Sequence, residues 1–76
     1  MEQLRGLIGC GHAWAEQRAL MALELADQYA SNQISKDEYL ELLQDLIRTD
    51  VLDHEANDMQ VKTALVTAVY GAMQLA

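Results

Sequence analysis

Four oxygen-bearing side chains in the middle of the chain are spaced as in a twelve-residue calcium-binding loop. They stand at positions 1, 5, 9 and 12 of that loop: Asp27, Ser31, Ser35 and Glu38. Calcium loops bind the ion through oxygen atoms at these positions, and the last is a carboxylate. Ile34 also occupies position 8, where an apolar residue is expected. The spacing is therefore consistent with a calcium site between two helices.

This stretch resembles a degenerate EF-hand, but it departs from the family at two positions. Tyr29 stands at position 3 in place of a ligand, and Asn32 replaces the glycine at position 6. An alternative interpretation needs no metal, because Ser35 and Glu38 also form the Ser-x-x-Glu capping box that begins a helix. Ser31 and Asn32 would then form an ordinary turn. We favour the capping box and keep the calcium site as an alternative.

Two further pairs contain residue types found in catalytic or metal sites. Cys10 and His12 are two residues apart and could act as nucleophile and base. His54 and Asp58, at i and i+4, could bind a metal with ligands from another helix or subunit. The sequence offers no group beside His12 to orient it, and carboxylates near a helix start are favoured on electrostatic grounds alone. We therefore expect no enzymatic activity, no cofactor and no resident metal.

Charge and composition limit the classes of partner. The formal net charge is −7, which argues against direct binding to nucleic acids or anionic membranes, since both require clustered Lys and Arg. We expect no signal peptide and no membrane-spanning segment. Cys10 is the only cysteine, so no internal disulfide can form, and we predict a cytoplasmic protein, of a cell or of an infected host.

The elements that must position these residues are helices. Strong helix formers dominate and proline is absent, which predicts an all-α fold, a small bundle of three to four helices. The polar breaks at 31–33 and 48–50 divide the chain. We expect one domain over residues 1–76, with a short N-terminal segment at 2–11 and helices at about 12–30, 36–48 and 51–74.

The C-terminal helix has more apolar surface than one neighbour can cover. From Val61 to Ala76 its only charged side chain is Lys62. One apolar stripe repeats with heptad spacing: Leu52, Ala56, Met59, Thr63, Val66, Tyr70 and Met73. A second stripe follows another face: Leu65, Val69, Ala72 and Ala76. Two apolar stripes on one helix predict two neighbours.

We predict that one neighbour is the bundle and that the other is a second subunit or a partner protein. The expected interface residues are Leu65, Val69, Tyr70, Ala72 and Met73. Val69→Glu would then dissociate an oligomer without unfolding its helices. The alternative is that residues 2–11 cover the second stripe, which would leave a monomer.

Within residues 29–43 a short turn is followed by an Ile-Ser pair, two adjacent acids, an aromatic residue and then leucines. This pattern resembles the helical hairpin of short bacterial oligomerisation modules of the SHOCT type over about twenty residues. The resemblance implies helical packing and self-association, without catalysis.

These observations predict a non-enzymatic protein–protein interaction or assembly module that self-associates through its C-terminal helix. The alternative is an acidic inhibitor that imitates a nucleic-acid surface, as some small phage-encoded proteins do. A degenerate EF-hand-like calcium module is the third hypothesis. The acidic residues of the second hypothesis are Glu24, Asp27, Asp37, Glu38, Glu41, Asp45, Asp50, Asp53 and Asp58.

Overall fold

The computed structural model describes residues 2–48 and 57–74, and over these residues the chain forms four α-helices and no strand. Their bounds are α1 Glu2–Gly6, α2 Ala13–Ala30, α3 Lys36–Leu46 and α4 Met59–Gln74. Helix α2 contacts the other three, and α1 also packs against α4. The predicted all-α bundle is confirmed. None of these four helices has both the length and the apolar character needed to span a bilayer.

The turn between α2 and α3 forms as the capping-box interpretation predicts. The Ser35 hydroxyl oxygen accepts a hydrogen bond from the Glu38 backbone N–H at 3.1 Å, and the hydroxyl donates to Glu38 Oε1 at 3.2 Å. Asn32 has a positive φ of 60°, a left-handed conformation that asparagine adopts more readily than most residues. The Gln33 N–H donates to the Gln28 carbonyl at 2.8 Å and closes the end of α2. Local hydrogen bonds therefore specify the turn.

The C-terminal helix begins at Met59, later than the sequence analysis predicted. Asp58 precedes it as a cap, because its Oδ1 accepts hydrogen bonds from the backbone N–H groups of Gln60 at 3.0 Å and Val61 at 3.1 Å. These donors have no partner within the helix, so a capping carboxylate favours a helix start at this point. The predicted start lay in residues 49–56, which are outside the described residues.

Small residues on α2 and large residues on its neighbours form the core. Ala15, Ala19 and Ala22 are three or four residues apart, so they share one face of α2, and all three are fully buried. Alanine leaves room for neighbouring helices to approach this face. Trp14 is the one large core residue on α2, and the other large core side chains come from elsewhere in the described chain: Leu4, Leu7, Tyr39, Leu43, Leu46, Leu65 and Val69.

Two tyrosines pack α2 against α3 close to the turn. The rings of Tyr29 and Tyr39 are stacked, with centroids 4.7 Å apart and an interplanar angle of 5°. Tyr39 is 1% exposed. Burial raises the pKa of the Tyr39 hydroxyl above its ordinary value, and the neighbouring Tyr29 hydroxyl raises it further.

The chain is expected to lose stability at alkaline pH as Tyr39 ionises. Because the pKa is raised in the folded state, the unfolded chain ionises first. The stabilisation present below about pH 10 is therefore lost as the pH rises through the folded-state pKa. Urea unfolding at several pH values from about 8 to 11 measures this slope. Tyr39→Phe should flatten it and Tyr70→Phe, at an exposed tyrosine, should not. Equal slopes for Tyr39→Phe and wild type would contradict the prediction.

Candidate binding groove between α2 and α3

The apolar stripe predicted to face a partner is buried inside the chain. Leu65, Val69 and Ala72 all lie in the core. Helix α1 packs against α4, and Leu4 of α1 and Leu7 just after it belong to the same buried cluster. Within the single chain the N-terminal segment therefore packs against this stripe, as in the alternative considered above, and its role in an interface stays a prediction. While α1 is in place, those three residues offer no surface to another chain.

The other two predicted interface residues lie beside the core rather than in it. Tyr70 is 54% exposed and Met73 is half-buried against the core. They belong to the heptad stripe of α4, together with half-buried Val66 and with Met59, which is 68% exposed. Leu52 and Ala56 of this stripe, and Ala76 of the second stripe, are outside the described residues. Self-association through α4 stays a prediction, restricted to this face.

Val69→Glu is now expected to unfold the chain instead of separating subunits. A carboxylate at this fully buried position would cost several kcal/mol, a large part of the about 5–15 kcal/mol that stabilises a domain. Tyr70→Glu, at the next and exposed position, should change stability by about 0.5 kcal/mol or less. Circular dichroism during urea unfolding measures both. Equal effects of the two substitutions would contradict this placement of α4.

The residues of the calcium hypothesis serve the turn. Ser35 and Glu38 hydrogen-bond to each other at the start of α3, and the Asp27 carbonyl accepts the Ser31 N–H at 3.0 Å at the end of α2. The Asp27 and Ser31 side chains are exposed. Over residues 2–48 and 57–74, no group of three His, Cys, Asp or Glu side chains is placed to bind a metal. The turn uses the side chains of Ser35 and Glu38 and the backbone of Asp27 and Ser31, and the calcium alternative stays a prediction.

His12 has a partner that sequence analysis did not find. Its Nε2 lies 3.3 Å from Asp58 Oδ2, while the other carboxylate oxygen caps α4. The nearby Trp14 Nε1 donates to Asn57 Oδ1 at 3.2 Å. These contacts join the start of α2 to the start of α4. The two pairs are far apart in sequence, so local spacing gave no sign of them.

The predicted nucleophile and base do not meet. The Cys10 thiol points to the backbone carbonyl oxygen of His12, with a sulfur–oxygen distance of 3.9 Å. The His12 imidazole points to Asp58 instead. A base must reach the proton that it removes, and this pair lacks that geometry. His54, of the second predicted pair, lies outside the described residues.

A groove open to solvent runs between α2 and α3, with a volume of about 430 Å³. Each helix contributes two apolar residues: Met21 and Leu25 from α2, Leu42 and Leu46 from α3. Met21 is 51% exposed and Leu42 is 38% exposed. Leu25 is half-buried and Leu46 is buried. The two leucines therefore form the base of the groove, and exposed apolar side chains stand on both of its edges.

Arg18 connects the two helices at one end of this groove. Its Nε donates to the Leu46 carbonyl at 3.0 Å, and its Nη1 donates to the Trp14 carbonyl at 3.1 Å. Leu46 ends α3, where carbonyl groups lack partners within the helix and a positive charge is favourable. The last turn of α3 has no basic residue of its own. Arg18 thus supplies that charge from α2 and fixes the end of α3 beside it.

The edges of the groove are polar and partly acidic. The other lining residues are Gln17, Glu24, Gln28 and Asp45, all exposed. Asp45 Oδ1 lies 3.2 Å from the Nε of Arg48, which follows the end of α3, and both side chains are exposed. Such surface pairs stabilise a protein by at most about 1 kcal/mol. The groove therefore combines an apolar base with carboxylates that solvent or a ligand can reach.

Comparisons with protein-family models, with curated proteins and with solved structures gave no match for this chain. The resemblances to a SHOCT-type hairpin and to an EF-hand therefore depend on the quoted residues alone.

Sequence analysis did not assign a site to the groove residues, although a signal was present. The apolar face of α3 is wider than one neighbour needs, because Leu42 stands beside Leu43 and Leu46. On α2, Met21 and Leu25 extend the apolar face in the same way. Apolar residues at the edge of the core-facing side of both α2 and α3 were therefore the available indication that a groove lies between the two helices.

Proposed function

We propose that this chain is a non-enzymatic protein-binding module that holds an amphipathic helix of a partner protein in the groove between α2 and α3. The observation that carries this proposal is the exposure of Met21 and Leu42 at opposite edges of one groove. Contiguous exposed apolar side chains on a small protein are typical of interaction sites. A helix binds such a groove by inserting side chains spaced three or four residues apart.

The chemistry of the groove favours a helix over other ligands. Small-molecule sites contain buried polar groups that converge on the ligand, whereas here Glu24, Gln28 and Asp45 are exposed on the edges. Among the described residues, no buried side-chain nitrogen or oxygen lacks a hydrogen-bond partner. An extended peptide binds by adding to the edge of a sheet, and the described part of the chain has no strand. A helix needs only the apolar contact that this groove offers.

Electrostatics favours a different protein over a second copy of this chain. Residues 16–48, which form most of α2 and all of α3, contain seven carboxylates and three cationic side chains, and the whole chain has a net charge of −7. Two copies that met at this surface would repel each other. A partner without that acidic excess avoids the repulsion.

Self-association through α4 is a second candidate. The exposure of Met59 and Tyr70 on one heptad stripe favours it, and this helix has only Lys62 as a charged residue within its bounds. Light scattering over a range of concentrations tests it. A dimer that Tyr70→Glu dissociates would support this candidate, and a monomer at all concentrations would exclude it.

The groove proposal can be tested with an uncharged probe, a stapled amphipathic helix of Leu and Gln that is about four turns long. Fluorescence anisotropy gives its dissociation constant. Met21→Glu and Leu42→Glu should each weaken binding at least about tenfold, because each places a charge in the apolar contact. If the chain were instead an acidic mimic of nucleic acid that binds its partner through carboxylates alone, partner binding would not depend on Met21 and Leu42.

Leu20→Glu provides a matched control. Leu20 lies on α2 and is 47% exposed, but it does not line the groove. Its substitution should change the dissociation constant less than about twofold. The proposal fails if the probe does not bind, or if Leu20→Glu weakens binding as much as Met21→Glu. Circular dichroism confirms that each variant remains helical.

A further inference from the structure

We propose that the partner helix is cationic, with Lys or Arg on both sides of its apolar face, and that Glu24 on α2 and Asp45 on α3 recognise these cations. The inference rests on the proposed function, because it specifies the partner of the same groove. It adds the charge of the partner and the two residues that select for it. A neutral or acidic amphipathic helix would fill the groove but would lack these contacts.

Glu24 marks the α2 edge of the groove. It lines the groove beside Met21 and Leu25, and its side chain is exposed. Within the described residues it forms no ion pair. The cation that lines the same groove is Arg18, whose guanidinium donates to the carbonyls of Trp14 and Leu46. Glu24 is therefore available to a cation from outside the chain.

Asp45 marks the opposite edge, on α3. Glu38, Leu42 and Asp45 are spaced at i, i+4 and i+7, so they share one side of this helix. A carboxylate thus stands on that side of the helix both before and after Leu42. A helix that places a leucine against Leu42 would bring flanking side chains near Asp45, and positive charge is the complement of this edge.

Arg48 acts as an internal competitor for Asp45. Its Nε lies 3.2 Å from Asp45 Oδ1, and both side chains are exposed. An exposed pair of this kind is weak, so a cation on the partner can replace Arg48 at little cost. This geometry predicts opposite effects for two kinds of substitution. Removing Arg48 should strengthen the binding of a cationic helix. Removing Glu24 or Asp45 should weaken it.

The surrounding charge reinforces the two contacts. Glu24, Asp27, Asp37, Glu38, Glu41 and Asp45 are all exposed on the same two helices, and Lys36 is the only cation between residues 24 and 45. A field of one sign raises the association rate of an oppositely charged partner. Salt screens such a field over about 10 Å at 0.1 M ionic strength. Binding should therefore depend on salt more strongly for a cationic helix than for a neutral one.

The first experiment compares two stapled helices with the same leucine face, one with Lys and one with Gln on its flanks. Fluorescence anisotropy with the wild-type chain gives both dissociation constants at about 0.05 M and 0.5 M salt. The Lys helix should bind about tenfold more tightly at low salt, as expected for several exposed ion pairs. The difference should decrease at least about threefold at high salt.

Substitutions then identify the contacts. Glu24→Gln and Asp45→Asn should each weaken binding of the Lys helix about threefold and leave the Gln helix within about 1.5-fold. Arg48→Gln should strengthen binding of the Lys helix about twofold. Asp37→Asn is the matched control, because it removes the same charge from an exposed position of α3 that does not line the groove. It should stay within about 1.5-fold of wild type.

Each outcome distinguishes this inference from the proposed function. If the Lys and Gln helices bind equally, the charge inference fails while the groove remains a binding site. If Asp37→Asn weakens binding as much as Glu24→Gln, the overall negative charge of the chain attracts the Lys helix, and the assignment of specific contacts to Glu24 and Asp45 fails. If neither helix binds, both the inference and the proposed function fail.

Discussion

The need to cover the apolar surface of α4 determines how the rest of the chain is arranged. Within Met59–Gln74 the only charged residue is Lys62, so water is unfavourable on most faces of the helix. Helix α1 packs against this helix, and Leu4 of α1 and Leu7 after it join the same buried cluster as Leu65 and Val69. The alanine face of α2 belongs to this cluster as well. Leu65 and Val69 are buried where these helices meet.

This arrangement determines which surface is left for a partner. The alanine face of α2 is buried in the core, so α3 packs beside it and leaves Met21 and Leu42 at the edges of a groove. Helix α3 is also shorter than α2, with 11 residues against 18. It ends beside Arg18, whose hydrogen bond to the Leu46 carbonyl fixes that end. The groove is thus a consequence of how the core is filled.

The sequence predicted those features that depend on neighbouring residues. The bounds of α2 and the start of α3 were predicted closely, because Ser35 and Asn32 specify the turn through local hydrogen bonds and backbone conformation. The late start of α4 was not predicted, since apolar periodicity continues through the position at which Asp58 caps the helix.

The features that depend on distant contacts could not be predicted in this way. Periodicity identified Leu65 and Val69 as residues that must be covered, but it did not say whether α1 or another chain covers them. The pair between His12 and Asp58 joins two helix starts that are far apart in sequence. The candidate groove needs the relative position of two helices, which decides that Leu46 is buried while Met21 is exposed.

The central claim is that the groove has exposed apolar side chains on its edges, whereas the stripe of α4 that contains Val69 is buried. Paramagnetic relaxation of methyl signals by a soluble gadolinium chelate measures this directly in the free chain. The account predicts strong relaxation of the Met21 and Leu42 methyl groups and weak relaxation of those of Leu65 and Val69. Strong relaxation of Leu65 and Val69, or protection of Met21 and Leu42, would contradict it.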